Sequence, residues 1–114
     1  MKKLFVSVPM RDRTEEQIRY SIDKMNKIAN VIFDENLEVI NSYDPKLRDE
    51  PPIDALGKSI SAMADADYFI GIGYSVTYRG CSIETDVAHG YGITNYMVDS
   101  HWVLTPEERK GEDD

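Results

Sequence analysis

The sequence predicts an α/β domain built on a parallel sheet. Three observations carry this. Short apolar, β-branched runs alternate with segments of helical spacing. The runs are nearly continuous in hydrophobicity, as strands covered on both faces are. The chain of 114 residues has room for one core only. The core domain is expected over 1–104, followed by an acidic frayed tail over 105–114.

Leu4-Phe5-Val6-Ser7-Val8 is the first predicted strand, stopped by Pro9. Thr14 to Asn36 has helical spacing, with Ile18, Ile22, Met25, Ala29 and Ile32 on one face. Thr14 and Gln17 stand at capping-box spacing, Glu15 and Glu16 occupy the first turn, and Asn36 is a candidate left-handed terminator. Leu37 to Asn41 is the second strand. Ser42 to Ile53, with three prolines among charges, is a loop.

A helix follows from about Asp54 to Ala64, with Leu56, Ile60 and Met63 inward. Tyr68 to Gly73 is the third strand and Tyr74 to Gly80 a second loop. The next helix runs near Cys81–Tyr91, with Ile83, Val87 and Tyr91 assigned to its buried face and Gly90 or Gly92 ending it. Asn95 to Val98 is the fourth strand. Trp102-Val103-Leu104 is read either as a short fifth strand or as a segment packing across the sheet.

Right-handed crossovers leave few windings for such a chain. The favoured one is a three-layer flavodoxin-like or half-Rossmann sheet of order 2-1-3-4. There, strands 1 and 3 are neighbours whose connections leave to opposite faces. The crevice outside their C-terminal ends is where such sheets bind ligands. It is bordered by Ser7–Arg13 and Gly71–Glu84.

Composition narrows the partners. Thirteen Lys and Arg against twenty-one Asp and Glu give a net charge of −8. That balance disfavours a nucleic-acid polymer or an anionic membrane as partner. No apolar run reaches the about 18 residues of a membrane span, and Met1-Lys2-Lys3 precedes too short an apolar run for a signal peptide. With Cys81 the lone cysteine, neither an internal disulfide nor a cysteine-built zinc site is available. A reducing cytoplasm is the expected compartment.

Gly71-Ile72-Gly73-Tyr74-Ser75-Val76 begins like a dinucleotide fingerprint but holds Val76 at the third glycine position. It also follows the third strand instead of the first. Close packing explains these glycines before ligand contact does. Tyr78-Arg79-Gly80-Cys81-Ser82-Ile83-Glu84 places a carboxylate in the expected first turn of a helix opening at the crevice. The helix dipole would hold Glu84 ionised. An ionised carboxylate suits nucleophilic attack or stabilisation of an oxocarbenium-like centre. A glutamate at this place is equally a routine capping residue.

Arg11, Arg13 and Arg79 are three of the six arginines and all fall in the crevice loops. Such a group can grip a phosphate, although solvated loop arginines are common. His89 and His101 lack the spacing of metal ligands and read as surface or packing residues. Cys81, at a helix start, would have a lowered pKa, but it reads first as a small buried residue. Tyr68, Tyr74 and Tyr78 serve packing, or form a stacking wall for a base.

Taken together, Ser7-Val8-Pro9-Met10-Arg11, Ala66-Asp67 entering an apolar strand, Arg79-Gly80-Cys81-Ser82-Ile83-Glu84 and Ala88-His89-Gly90-Tyr91-Gly92-Ile93 resemble the nucleoside 2-deoxyribosyltransferase superfamily. That superfamily includes the 2'-deoxynucleoside 5'-phosphate N-hydrolases. The resemblance covers roughly residues 3–99. It implies that Glu84 attacks C1' of a 2-deoxyribosyl group, and that Arg11 binds a 5'-phosphate. Ser59 stands where the family carries an aspartate that handles the leaving base. No tyrosine among Ser7 to Met10 matches the family's catalytic one, and Asp12 and Arg13 replace family glycines.

The expected site is therefore Glu84 with Ser7, Pro9, Met10, Arg11, Gly73, Tyr74, Tyr78, Arg79 and Gly80 around a nucleoside or nucleotide. No metal or cofactor is called for. An inactive nucleotide-binding protein is the alternative. A homo-oligomer, dimer or tetramer, is also expected. The resemblance implies it, and Tyr20, Ile28 and Val31 lie off the core stripe of the first helix.

Overall fold

The computed structural model describes residues 1–41, 43–73 and 78–109. Four strands, β1 (Lys2–Val6), β2 (Leu37–Val39), β3 (Tyr68–Ile72) and β4 (Thr94–Val98), form one parallel sheet of order β2-β1-β3-β4. This is the winding expected from the sequence, a flavodoxin-like arrangement. Helices α1 (Glu15–Ile32), α2 (Pro52–Ala62) and α3 (Arg79–Gly90) pack on the sheet, and a short α4 (Pro106–Arg109) follows β4. No helix among the described residues is long and apolar enough to cross a membrane.

Strand alternation sorts the core into two layers. Leu4 and Val6 of β1 and Ile70 and Ile72 of β3 pack with Ile18, Met25 and Ala29 of α1. Phe5 and Phe69, opposite each other in the ladder, stack at 5.7 Å on the other face, with Met63 and Ala88. Ser7 continues the Phe5 face just past the end of β1, so that face becomes polar where the crevice begins. Its backbone N–H still donates to the Ile70 carbonyl, at 2.9 Å.

The element ends differ from the sequence reading for local reasons. β1 stops at Val6, and Val8 is buried without joining the ladder. β2 is three residues long, and Asn41 takes over beyond it. Its side chain accepts from Val6 N–H at 2.9 Å and donates to the Val6 carbonyl at 2.7 Å, replacing a backbone rung. The Thr14–Gln17 capping box forms as expected. The left-handed residue after α1 is Asp34 (φ 52°), not Asn36, and Ile32 is exposed instead of lying on the core face. Of the off-stripe residues, Ile28 packs against the core, Tyr20 is half-buried and Val31 is exposed. α2 starts earlier than expected because Pro52 suits the first helical turn.

The largest correction concerns α3. It begins at Arg79, and its buried face is Cys81, Glu84, Thr85 and Ala88. Ile83 and Tyr91, expected inside, are exposed. Val87, the third residue of that stripe, is half-buried and packs against the Phe5–Phe69 cluster. The helix instead turns its polar side toward Ser7 and its lone Ala88 toward Phe69.

Trp102-Val103-Leu104 is not a fifth strand. Ser100–Trp102 is a 3-10 turn capped by Asp99, and Val103 and Leu104 are buried behind it. The segment 105–109 is not frayed. Thr105 is buried and forms a capping box with Glu108, whose carboxylate reaches Arg13.

Candidate functional site

Glu84 lies at the C-terminal end of the sheet, beneath the crevice between β1 and β3. It sits in the second turn of α3, because that helix starts at Arg79. Its Oε1 accepts a hydrogen bond from Ser7 Oγ at 2.8 Å, and only 8% of the residue is exposed. The expectation that it faces the loop after β1 therefore agrees with its position. Its expected charge state does not. Burial pushes the carboxyl up to about 7, and the hydroxyls of Ser7 and Ser59 offset only part of that. Being one turn further from the helix N-terminus weakens the dipole's hold, which falls off within the first turn. Removal from water then decides the outcome.

Cys81 lies on the same buried face of α3. It is 3% exposed, and burial pushes its thiol up to about 12. Ser7 and Arg13 act in the opposite sense, while Glu84 adds to the rise. The lowering expected from a helix start is thus overruled by desolvation. Thr85 Oγ1, also on the buried face, is enclosed without a hydrogen-bond partner among the described residues.

The loop after β1 forms one wall. Pro9 is buried and Met10 partly so, packed on the α1-side core. A turn bonded from Arg13 N–H to the Met10 carbonyl at 3.2 Å, with Asp12 in the left-handed region (φ 59°), projects Arg11 into solvent. Arg11 is exposed and accessible to a ligand, with Asp12 in loose contact at 3.9 Å.

Arg13, one of the three arginines that the sequence places in the crevice loops, is a structural residue. It is 7% exposed. Its guanidinium binds both oxygens of Glu108, at 2.8 and 2.7 Å, and the carbonyls of Pro9 and Gln17, and Ser21 Oγ.

On the opposite wall, Arg79 and Gly80 are exposed at the start of α3 and Tyr78 is half-buried. Tyr74 lies outside the described residues. Tyr68 belongs to the far end of β3, stacked on Phe33 and hydrogen-bonded to Glu35, so it is no wall for a ligand here.

The two glycines of β3 and its exit differ. A Cβ on Gly71 would come within 2.8 Å of the Phe69 ring and 3.0 Å of Met97, so packing requires that glycine. A Cβ on Gly73 would meet only the Val98 carbonyl, at 3.8 Å. Packing does not dictate Gly73, which lies beside the crevice.

His89 pairs with Asn95 at the surface, and His101 stands edge-on to Trp102. No three His, Cys, Asp or Glu side chains among the described residues gather as a metal site needs. Shallow clefts beside Met1 and Asp67 and along α2 from Glu50 to Ser61 lie away from Glu84.

Sequence reasoning missed Asn41 and Glu108. The Thr105-Pro106-Glu107-Glu108 capping-box spacing was the available signal for the second. Comparisons with protein-family models, with curated proteins and with solved structures return no match.

Proposed function

We propose that this crevice cleaves or transfers at the N-glycosidic bond of a 2'-deoxynucleoside or its 5'-monophosphate. One observation carries the reading. A buried carboxylate, Glu84, is held by Ser7 at the strand-order switch, the place where open parallel sheets bind ligands. Oε1 is oriented by Ser7, and Oε2 attacks C1' of the sugar. The C1'–N bond breaks and its electron pair leaves with the base, which takes a proton from water. Water, or a second base, then attacks C1' and releases the glutamate.

A midpoint near 7 suits this cycle, since the carboxyl can ionise near neutrality and a developing positive sugar favours the ion. Arg11 and Arg79 are exposed cations available to a 5'-phosphate. Tyr78 flanks the base, and Pro9, Met10, Gly73 and Gly80 line the opening. In this reading the protein is a cytoplasmic homo-oligomer, a dimer or tetramer, and the exposed Val31 and Ile32 favour association.

One observation favours binding without turnover. Ser59, not a carboxylic acid, is the α2 side chain acting on Glu84. A serine cannot protonate a departing base as an acid would.

The test is incubation with deoxynucleosides and their monophosphates, scoring free base by chromatography. Release of base that is lost in Glu84→Gln supports catalysis. A rise in Tm with a deoxynucleotide and no released base supports the binder. Neither release nor a Tm shift overturns both readings.

A further inference from the structure

We propose that Glu108 is a positioning residue for the crevice. By clasping Arg13 it fixes the Pro9 carbonyl, and with it the β1-loop wall that faces Glu84. This rests on the crevice being the working site, as set out above.

The connection is continuous and specific. Glu108 binds the Arg13 fork through both oxygens, at 2.8 and 2.7 Å. Arg13 in turn donates to the Pro9 carbonyl at 3.0 Å, two residues from Ser7. The same guanidinium reaches the Gln17 carbonyl at 3.1 Å and Ser21 Oγ at 2.8 Å, and Ser21 donates to the Val103 carbonyl at 2.7 Å. The loop after β1, α1 and the segment carrying Glu108 therefore meet at one buried cation, and Ser21 links it onward to Val103. Such bidentate charge-assisted pairs impose geometry as well as attraction.

Glu108 is itself held in place. Thr105 donates to its Oε1 from both N–H and hydroxyl at 3.1 Å. Burial acts to raise the Glu108 pKa, yet Arg13 and Thr105 together keep it below the ordinary value.

The wall it would control is under tension of its own. Asp12 is left-handed without being glycine. The turn that closes over it depends on the Arg13 N–H bond to Met10. Loss of the clasp should loosen this turn first and more than the sheet.

The test compares the full chain with Glu108→Gln and, as control, Glu107→Gln. Hydrogen exchange is read at the Arg13 amide and at the Leu4–Val6 amides, and the Glu84 midpoint is read by carbon NMR. In Glu108→Gln the Arg13 amide is expected to accelerate at least tenfold more than the Leu4–Val6 amides, whose own acceleration reads the global loss of stability. The Glu84 midpoint is expected to rise as Ser7 loses its bond. Deleting a negative charge alone would lower that midpoint, so its direction separates displacement from simple electrostatics.

An unchanged Arg13 amide, equal acceleration in the sheet, or a lowered or unmoved Glu84 midpoint overturns the proposal. Should Glu108→Gln not fold, Thr105→Ala, which keeps the carboxylate but removes a donor to it, is read by the same criteria. Neither readout needs turnover. Absence of released base would fail the functional reading without touching this result.

Discussion

Ser7, just past the end of β1, donates its hydroxyl hydrogen to Glu84 of α3 at 2.8 Å, joining positions 77 residues apart. The bond holds a carboxyl that its surroundings would otherwise keep neutral. A single small hydroxyl thereby couples the sheet's end to a buried acid of α3.

Glu84 should weaken the fold at alkaline pH. Its midpoint of about 7 in the folded chain lies above the ordinary 4.5. Folding therefore carries a cost that is full above pH 7 and fades as pH falls through 7 toward 4.5. The shift corresponds to about 3 kcal/mol at most. Glu84→Gln keeps an acceptor for Ser7 and removes the charge. Urea denaturation should show it more stable than the parent at pH 8, with the gain shrinking by pH 5. A variant equally destabilised at both values would contradict this.

Ser7→Ala should raise the Glu84 midpoint further, because the hydroxyl stabilises the ionised form. Carbon NMR titration of the glutamate carboxyl measures it. A midpoint that stays or falls would mean the 2.8 Å contact contributes nothing to the charge state.

If base release is observed, its rate should climb with pH through a limb near 7, since only ionised Glu84 attacks. In Glu84→Gln the product should vanish while the fold persists. A flat profile between pH 5 and 8 would remove Glu84 from the nucleophile's role.

Cys81 should resist alkylation in the folded protein. Its thiol is 97% enclosed and has been pushed up to about 12, leaving almost no thiolate at neutral pH. Iodoacetamide labelling followed by mass spectrometry should show modification only in denaturant. Rapid labelling of the native chain would show that the pocket opens.

Removing Glu108 leaves a buried guanidinium without its carboxylate. Glu108→Ala should cost about 3 kcal/mol, against under about 0.5 kcal/mol for the exposed Glu107→Ala. Paired urea titrations decide between them, and equal costs would mean the Arg13 pair is inert.

The sheet order was legible because hydrophobic runs and right-handed crossovers leave few alternatives. The facing of α3 was not. Ile83, Val87 and Tyr91 make a convincing stripe, yet Cys81, Glu84, Thr85 and Ala88 are the buried set. Periodicity identifies a face but not its partner, and the partner here is the polar Ser7. Glu84 was found from its place in the chain, but its charge state was misjudged, because desolvation is a tertiary effect. Arg13 looked like a ligand cation for the same reason. Its carboxylate lies 95 positions away, beyond any local pattern.

That separation also sets an order on synthesis. A ribosome adding 5–20 residues per second needs about 5–19 s between Arg13 and Glu108. Throughout that interval the nascent chain can hold neither the clasp nor the turn it closes, although β1 precedes it and α1 and β2 are made early within it. The loop after β1 is therefore set late, by a segment made long after it. A stall after Val98 and before residue 108 would leave a nascent chain that has all four strands but lacks the residue that sets its crevice wall.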